Sequence, residues 1–207
     1  MHPNPAFRET PEDTSRACAA ERGFGVLAVN AEAGPLLAHV PFLLPQGAGF
    51  AELHLVRSNP IARALESPMP AVLAVSGPDS YISPDWYNLD DQVPTWNYVA
   101  VHLRGRLSHR PDVELPGLLD RLSASFEQRL LPKAPWTATK MDEGALNRMM
   151  RQIVPCRLEI AQIDGTWKLG QNKPDVARRA AADQVADHGL GQEVRQISDL
   201  MRAPPKP

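Results

Sequence analysis

Val93-Pro94-Thr95-Trp96-Asn97-Tyr98-Val99-Ala100-Val101-His102 decides how this chain is read. From Tyr98 onward the residues alternate: Tyr98, Ala100, His102 and Arg104 share one face of a strand, and Val99, Val101, Leu103 and Gly105 share the other. A face of valine and leucine belongs in a core, so the strand is expected to bury one side. Its mouth has a different chemistry. Trp96 and Tyr98 offer flat apolar area with one polar handle each, and Asn97 adds a directional amide. That mixture suits a planar ligand with polar edges, although aromatic residues beside a strand are more often core than platform.

Outward from this stretch, Phe24 to Val29, Leu36 to Leu44, Phe50 to Val56 and Ala71 to Ser76 read as further strands. Pro41 interrupts the second and implies an edge or a bulge there. Thr10 and Pro11 open a helix that should end near Gly23, and Ser58-Asn59-Pro60 opens a short one over Ile61 to Glu66. Leu115, Leu118, Leu119, Leu122, Phe126 and Leu130 lie on one face of a longer helix. Leu146, Met149, Met150 and Ile153 form a shorter one capped by Asp142, with the methionines as core filler. Arg157 to Ile163 alternates as a strand, and Asp164-Gly165 is a two-residue hairpin signal leading into Thr166 to Leu169. Asn172-Lys173-Pro174 opens an Ala-rich helix to about Asp187, broken at Gly189 and Gly191. A last amphipathic segment reaches Met201, and Ala203 to Pro207 reads as a disordered tail. Strands dominate the first half and do not alternate with helices. The pattern predicts an α+β fold with a mainly β core, an antiparallel barrel carrying peripheral helices and a helical C-terminal extension. Residues 1–188 are expected to form one domain, and residues 189–207 a helical segment and tail.

The formal charge is −2, with 22 Lys and Arg against 24 Asp and Glu, so there is no overall basic footprint for nucleic acid. Cys18 and Cys156 are far apart and sit in no CxxC or Cys/His pattern; a reducing cytosol is the expected compartment. No apolar run is long enough to span a bilayer, and no signal-like start precedes the first helix. Neither GxGxxG nor GxxxxGK[ST] occurs, which argues against Rossmann and P-loop cofactor sites. His39 and His54 on different strands lack a third ligand at zinc-like spacing, so no metal is expected. No Ser/His/Asp or Cys/His arrangement marks a catalytic residue.

Two further segments carry binding chemistry. In His54-Leu55-Val56-Arg57-Ser58-Asn59-Pro60 a strand delivers Arg57, Ser58 and Asn59 to a helix start, where a guanidinium, a hydroxyl and free N–H groups suit a phosphate. The plainer reading is that Ser58 or Asn59 caps the helix and Arg57 meets a surface carboxylate. In Trp167-Lys168-Leu169-Gly170-Gln171-Asn172, Trp167 and Leu169 face one way and Lys168 the other. Lys168 could meet a phosphate or an electron-rich ring, with Gln171 and Asn172 reading a polar ring edge. The plainer reading makes Trp167 a core plug and Asn172 a helix cap.

Taken together, VPTWNY, GPDSYISPDWY (Gly77 to Tyr87) and GTWKLGQNKP (Gly165 to Pro174), with LAHVPFLL and HLVRSNP in support, resemble the PaiB family of FMN-binding negative transcriptional regulators. The resemblance runs in order from about residue 1 to about residue 185. It implies a split β-barrel of the FMN-binding type, FMN as cofactor, and a homodimer with the cofactor site at the subunit interface. It turns the preference at Arg57, Ser58 and Asn59 toward the phosphate reading. It also makes Thr95 and Asn97 ligand-facing, with Trp96 as a stacking or packing surface. Gly170 and Lys173 replace the serine and arginine usual in that motif.

The expected function is therefore that of an FMN-binding negative transcriptional regulator in the cytoplasm. The alternative is an FMN-dependent oxidoreductase or flavin reductase on the same barrel, in which the flavin performs the hydride chemistry. Haem handling has less support, because no His is placed as an axial ligand. DNA is a candidate partner, but no basic recognition helix is evident; the pair around Gly189 comes nearest to a helix-turn-helix.

Overall fold

A computed structural model of the chain describes residues 1–206. Pro207, the last residue of the expected tail, lies outside them, and residues 203–206 carry no helix or strand beyond the bend that ends the last helix. Six antiparallel strands close a barrel in the order β1-β2-β3-β6-β5-β4. They are β1 (Phe24–Val29), β2 (Leu36–Leu43), β3 (Phe50–Val56), β4 (Met69–Ile82), β5 (Thr95–His109) and β6 (Ile153–Lys168). The helices are α1 (Glu12–Arg22), α2 (Pro60–Ala64), α3 (Leu115–Glu127), α4 (Glu143–Met150), α5 (Asp175–His188) and α6 (Val194–Arg202). By its internal contacts the chain forms two compact units. The first comprises Met1–Cys18, Val75–His102 and the residues from Ile163 onward; the second comprises Ala19–Ala74 and Leu103–Gln162.

In the second unit, β1 pairs β2 from Phe24↔Pro41 to Val29↔Leu36, and β3 pairs β6 from Phe50↔Glu159 to Val56↔Ile153. Leu27, Val40, Phe42, Leu53, Leu103 and Leu158 point into the core, one from each alternate position. A closed barrel has no edge strand for Pro41. Instead Pro41 faces Phe24 at the end of the β1 ladder, and the next residue, Phe42, donates its N–H to the Gly23 carbonyl. The missing proline N–H thus falls where β2 changes neighbours. Gly23 is itself required: it has φ +59, and a β-carbon there would come within 2.9 Å of the Phe126 ring. Leu115, Leu118 and Leu122 bury the apolar face of α3. Glu52 is buried because Arg121 grips both its oxygens and Arg157 reaches one of them at 3.4 Å.

In the first unit, α5 and α6 pack on one another and form a core with Ile82, Tyr87, Val99 and Trp167. Small residues on α5 (Ala177, Ala181, Ala182) leave room for Ile197 and Met201 of α6. The Ser198 hydroxyl donates to the Ala182 carbonyl at 2.7 Å, and Arg178 donates to the Met201 carbonyl at 2.7 Å.

Three further expectations are corrected. The Asp164-Gly165 hairpin does not form; β6 runs unbroken for 16 residues. Gly165 has no positive φ, which a tight hairpin would need, and its α-carbon lies so close to Ser15 that a β-carbon would sit 2.2 Å from the hydroxyl. The glycine serves close approach, not a turn. β4 likewise runs past Ser76 to Ile82, because Gly77 lets Val99 come near and residues 79 and 81 find backbone partners at Gln192 and Leu190. Finally, α4 is capped by Asp142 as expected but buries none of its residues, and Met149 is 58% exposed, so these methionines do not fill the core.

Two outcomes follow from this packing. A β-carbon at Gly105 would lie 1.8 Å from the Glu159 carbonyl oxygen, so Gly105→Ala should lower stability by about 1–3 kcal/mol in urea unfolding. Burial holds the His54 imidazole below its ordinary pKa of 6.5, and its Nδ1 has no partner. The unfolded chain then takes up the proton first as pH falls. Stability should drop below about pH 6.5, and His54→Asn should flatten that part of a melting-temperature profile.

Candidate functional site

The first unit contains a cavity of about 300 Å³. Its walls follow from strand alternation. Thr95 and Asn97 lie two apart at the start of β5 and face the same way, and Lys168 ends β6 on the face opposite Trp167. Trp167 is buried, and its indole N–H donates to the Ser15 hydroxyl at 3.0 Å. Beyond Lys168 the chain turns through Gly170, whose φ of +80 requires glycine, and brings Asn172 and Lys173 to the same cavity. Gln171 holds that turn: its side-chain oxygen accepts from the Leu169 N–H at 2.8 Å, and its amide nitrogen donates to the Trp167 carbonyl. Residues His2, Asn4 and Phe7 supply another wall, with the His2 ring edge-on to Phe7 at 4.8 Å.

The cavity is cationic. Lys168 donates to the Thr95 hydroxyl and its ammonium stands 6.0 Å from the Phe7 ring; Lys173 donates to Gln92 and stands 5.4 Å from the Tyr87 ring. Asp91 is the one carboxylate among the lining residues. Burial, and then the charge of Lys173, hold the Lys168 pKa below its ordinary value. Burial pushes the Tyr87 hydroxyl up, an effect partly offset by the neighbouring Asn97 amide.

Asn97 is the most telling residue. It is 1% exposed, and neither its oxygen nor its nitrogen reaches a partner at hydrogen-bond geometry; Tyr87 is near but does not satisfy it. A buried polar group without a partner costs about 1–3 kcal/mol, so a primary amide left open on both atoms is an anomaly unless a ligand meets it.

The sequence-predicted residues divide as follows. Thr95, Asn97, Lys168 and Asn172 line this cavity. Gln171 braces its turn. Trp96 is half-exposed and meets Tyr81 edge-on at 6.2 Å. Arg57, Ser58 and Asn59 belong to the second unit. There Asn59 caps α2 by accepting from the Ile61 N–H at 2.9 Å, and Ser58 is exposed. Arg57 donates to the carbonyls of Arg151 and Ile153 and to Asp112 at 3.2 Å, lining a cavity of about 270 Å³ with Leu115, Asn147 and Met150. Sequence reasoning missed Tyr87, Lys173 and the His2–Phe7 segment. Lys173 and Tyr87 stand in motifs already quoted, without having been singled out as cavity residues; the His2–Phe7 segment carries no periodic signal.

Among the described residues no group of three or more His, Cys, Asp or Glu could hold a metal, and no helix is long and apolar enough to cross a membrane. Cys156 is buried, and burial pushes its thiol up to about 12.

This split barrel is a fold shared with flavoproteins. The family described as "Putative FMN-binding domain" matches residues 1–162. The "Protease synthase and sporulation protein PAI 2" of Bacillus subtilis is 26% identical over 183 residues, covering 87% of this chain and 86% of its own. Among solved structures, the FAD and heme binding protein from Mycobacterium smegmatis superposes with a TM-score of 0.59 at 16% identity, over 89% of this chain and 82% of that one. The flavocytochrome Anf3 from Azotobacter vinelandii gives 0.58 at 16% identity, over 82% and 73%. The chain belongs to the PaiB-type family of FMN-binding split-barrel proteins.

Leucine has the length and branching of asparagine without its polar atoms, so Asn97→Leu should raise the stability of the ligand-free protein by about 1–3 kcal/mol. A chemical-denaturation midpoint that falls instead would show the amide to be satisfied.

Proposed function

We propose that the chain binds FMN in the cavity of the first unit and acts, as a homodimer in the cytoplasm, as a negative regulator of transcription. The observation that carries the cofactor reading is the open amide of Asn97 beside two lysines. Lys168 and Lys173 supply positive charge for an anionic group, and Asn97 and Asn172 offer donors and acceptors for the polar edge of a ring. Tyr87 and Phe7 add flat apolar walls. The residues fit a flavin, which when bound supplies redox chemistry through its ring. A volume of about 300 Å³ lies at the small end of ligand sites, which favours a site completed by a second subunit. Arg57, Ser58 and Asn59 are the other proposed phosphate contact.

The regulatory half rests on the family. The α5–α6 pair is a poor DNA reader by charge: Arg178 and Arg179 are paired with Asp175, and Arg202 with Asp183 and Asp199. Regulation through a flavin or a small molecule fits this better than a recognition helix. One observation favours the second reading, an FMN-dependent oxidoreductase or flavin reductase. Val93 lines the cavity yet is 73% exposed, so that side is open to a second reactant.

Titrating apo protein with FMN and FAD tests the cofactor, and comparing NAD(P)H oxidation with a salt-dependent DNA shift separates the two functions. Lys168→Ala should weaken FMN about 10–100-fold, and Arg57→Ala by a similar factor where Arg57 is a phosphate contact. Wild-type affinity in both variants would remove both assignments. Because the Lys168 pKa lies below 10.5, its share of FMN affinity is present at neutral pH and is lost as pH rises, earlier than for an ordinary lysine. A flat affinity profile through the alkaline range would show that Lys168 does not touch the anion.

A further inference from the structure

In the first unit, arginines are matched by carboxylates: Arg178 and Arg179 share Asp175, and Arg202 takes Asp183 and Asp199. The two lysines of the cavity are not. Lys168 donates to the Thr95 hydroxyl and Lys173 to the Gln92 side chain, and among the described residues neither forms an ion pair. Each ammonium also stands over a ring, Lys168 over Phe7 at 6.0 Å and Lys173 over Tyr87 at 5.4 Å. Lys168 feels the charge of Lys173, so the two are near enough to share one anion.

Asn97 adds a direction to that charge. Its buried amide is open at both nitrogen and oxygen, so it can donate and accept at once along one flat edge. Gly170 keeps the approach clear. A β-carbon there would stand 3.7 Å from the Asn97 amide nitrogen and 3.4 Å from the Arg178 Cγ, so any side chain would crowd the donor side of the amide. The φ of +80 reserves the position for glycine as well. The complement of these groups carries negative charge, offers an acceptor to the Asn97 nitrogen and a donor to its oxygen, and is otherwise flat and apolar, to lie along Phe7 and Tyr87. An aromatic ring bearing a carboxylate, with an N–H or O–H on the adjacent carbon, has all of these features. A cavity of about 300 Å³ is sized for one such ring.

We infer that this cavity binds a small aromatic carboxylate with a hydrogen-bond donor beside the acid group, and that this ligand and FMN exclude one another. The carboxylate accepts from Lys168, Lys173 and the Asn97 nitrogen, and the neighbouring N–H or O–H donates to the Asn97 oxygen. Exclusion rests on the flavin reading above, because FMN there calls on the same lysines and the same amide; the binding of the acid does not rest on it. The acid is then a regulator of the site, since its concentration sets how much of the chain carries flavin.

The test uses ortho-aminobenzoate, whose fluorescence anisotropy rises when it tumbles with a chain of 22.7 kDa. Titrated with flavin-free, full-length protein, it should saturate with a midpoint below about 1 mM. Benzoate keeps the charge but loses the donor, and should compete about 10-fold less well. Aniline loses the charge and should not compete. Asn97→Leu should erase the difference between the two acids, and Lys173→Met should weaken both about 10-fold or more. Should a variant not fold, the comparison of the two acids on wild type decides. FMN should displace the probe. A wild-type chain that leaves the probe free at millimolar concentration overturns the inference even where FMN binds. Equal affinity for the two acids overturns the pairing with Asn97. A probe that binds as expected but resists displacement by FMN upholds the seat for the acid, overturns the exclusion and takes the flavin out of this cavity.

Discussion

Trp167 fixes the chemistry of this protein without entering it. Its ring plugs the core of the first unit, and its N–H is tied to Ser15 at 3.0 Å. In a strand, adjacent residues point to opposite faces, so burying Trp167 and Leu169 commits Lys168 to the other side, toward the cavity. Ser15 can reach the indole only because position 165 has no side chain. A glycine, a serine and a tryptophan thus together set where a lysine stands. The turn beyond is stiffened by Gln171, which spends its whole amide on the backbone and so hands Asn172 and Lys173 to the cavity wall.

The same economy explains the tension within the cavity. Two lysines close enough for one to depress the other, and an amide with nothing to bind, all cost stability in the ligand-free chain. Each present neighbour is a stopgap: Thr95 for Lys168 and Gln92 for Lys173. A strained polar cluster on a well-packed barrel is the usual division of labour between a scaffold and its site.

Much of this was legible in sequence. The alternation from Tyr98 to Leu103 put Val99, Val101 and Leu103 in the core, as found. The Asp142 cap, the Gly23 stop and the short helix at Pro60 were equally local signals and equally readable. What failed were residues whose role depends on a distant neighbour. Gly165 and Gly77 look like turn signals, because a glycine that admits Ser15 or Val99 looks the same in sequence as one that bends the chain. The methionines of α4 follow helical spacing faithfully, but periodicity says only that a face is apolar, not that something covers it. The cavity was half visible. Thr95, Asn97, Lys168 and Asn172 stood in motifs as polar groups, and Tyr87 ended one without a polar pattern to single it out, whereas the His2–Phe7 segment is brought in by tertiary folding alone.

That first segment has a practical side. His2 and Asn4 are wall residues, and the His2 backbone N–H reaches the Thr166 hydroxyl at 3.4 Å. Any purification tag or fusion partner joined ahead of His2 would begin at the rim of the cavity and compete for its space. The same cargo attached after α6 would leave from a helix none of whose residues line that wall.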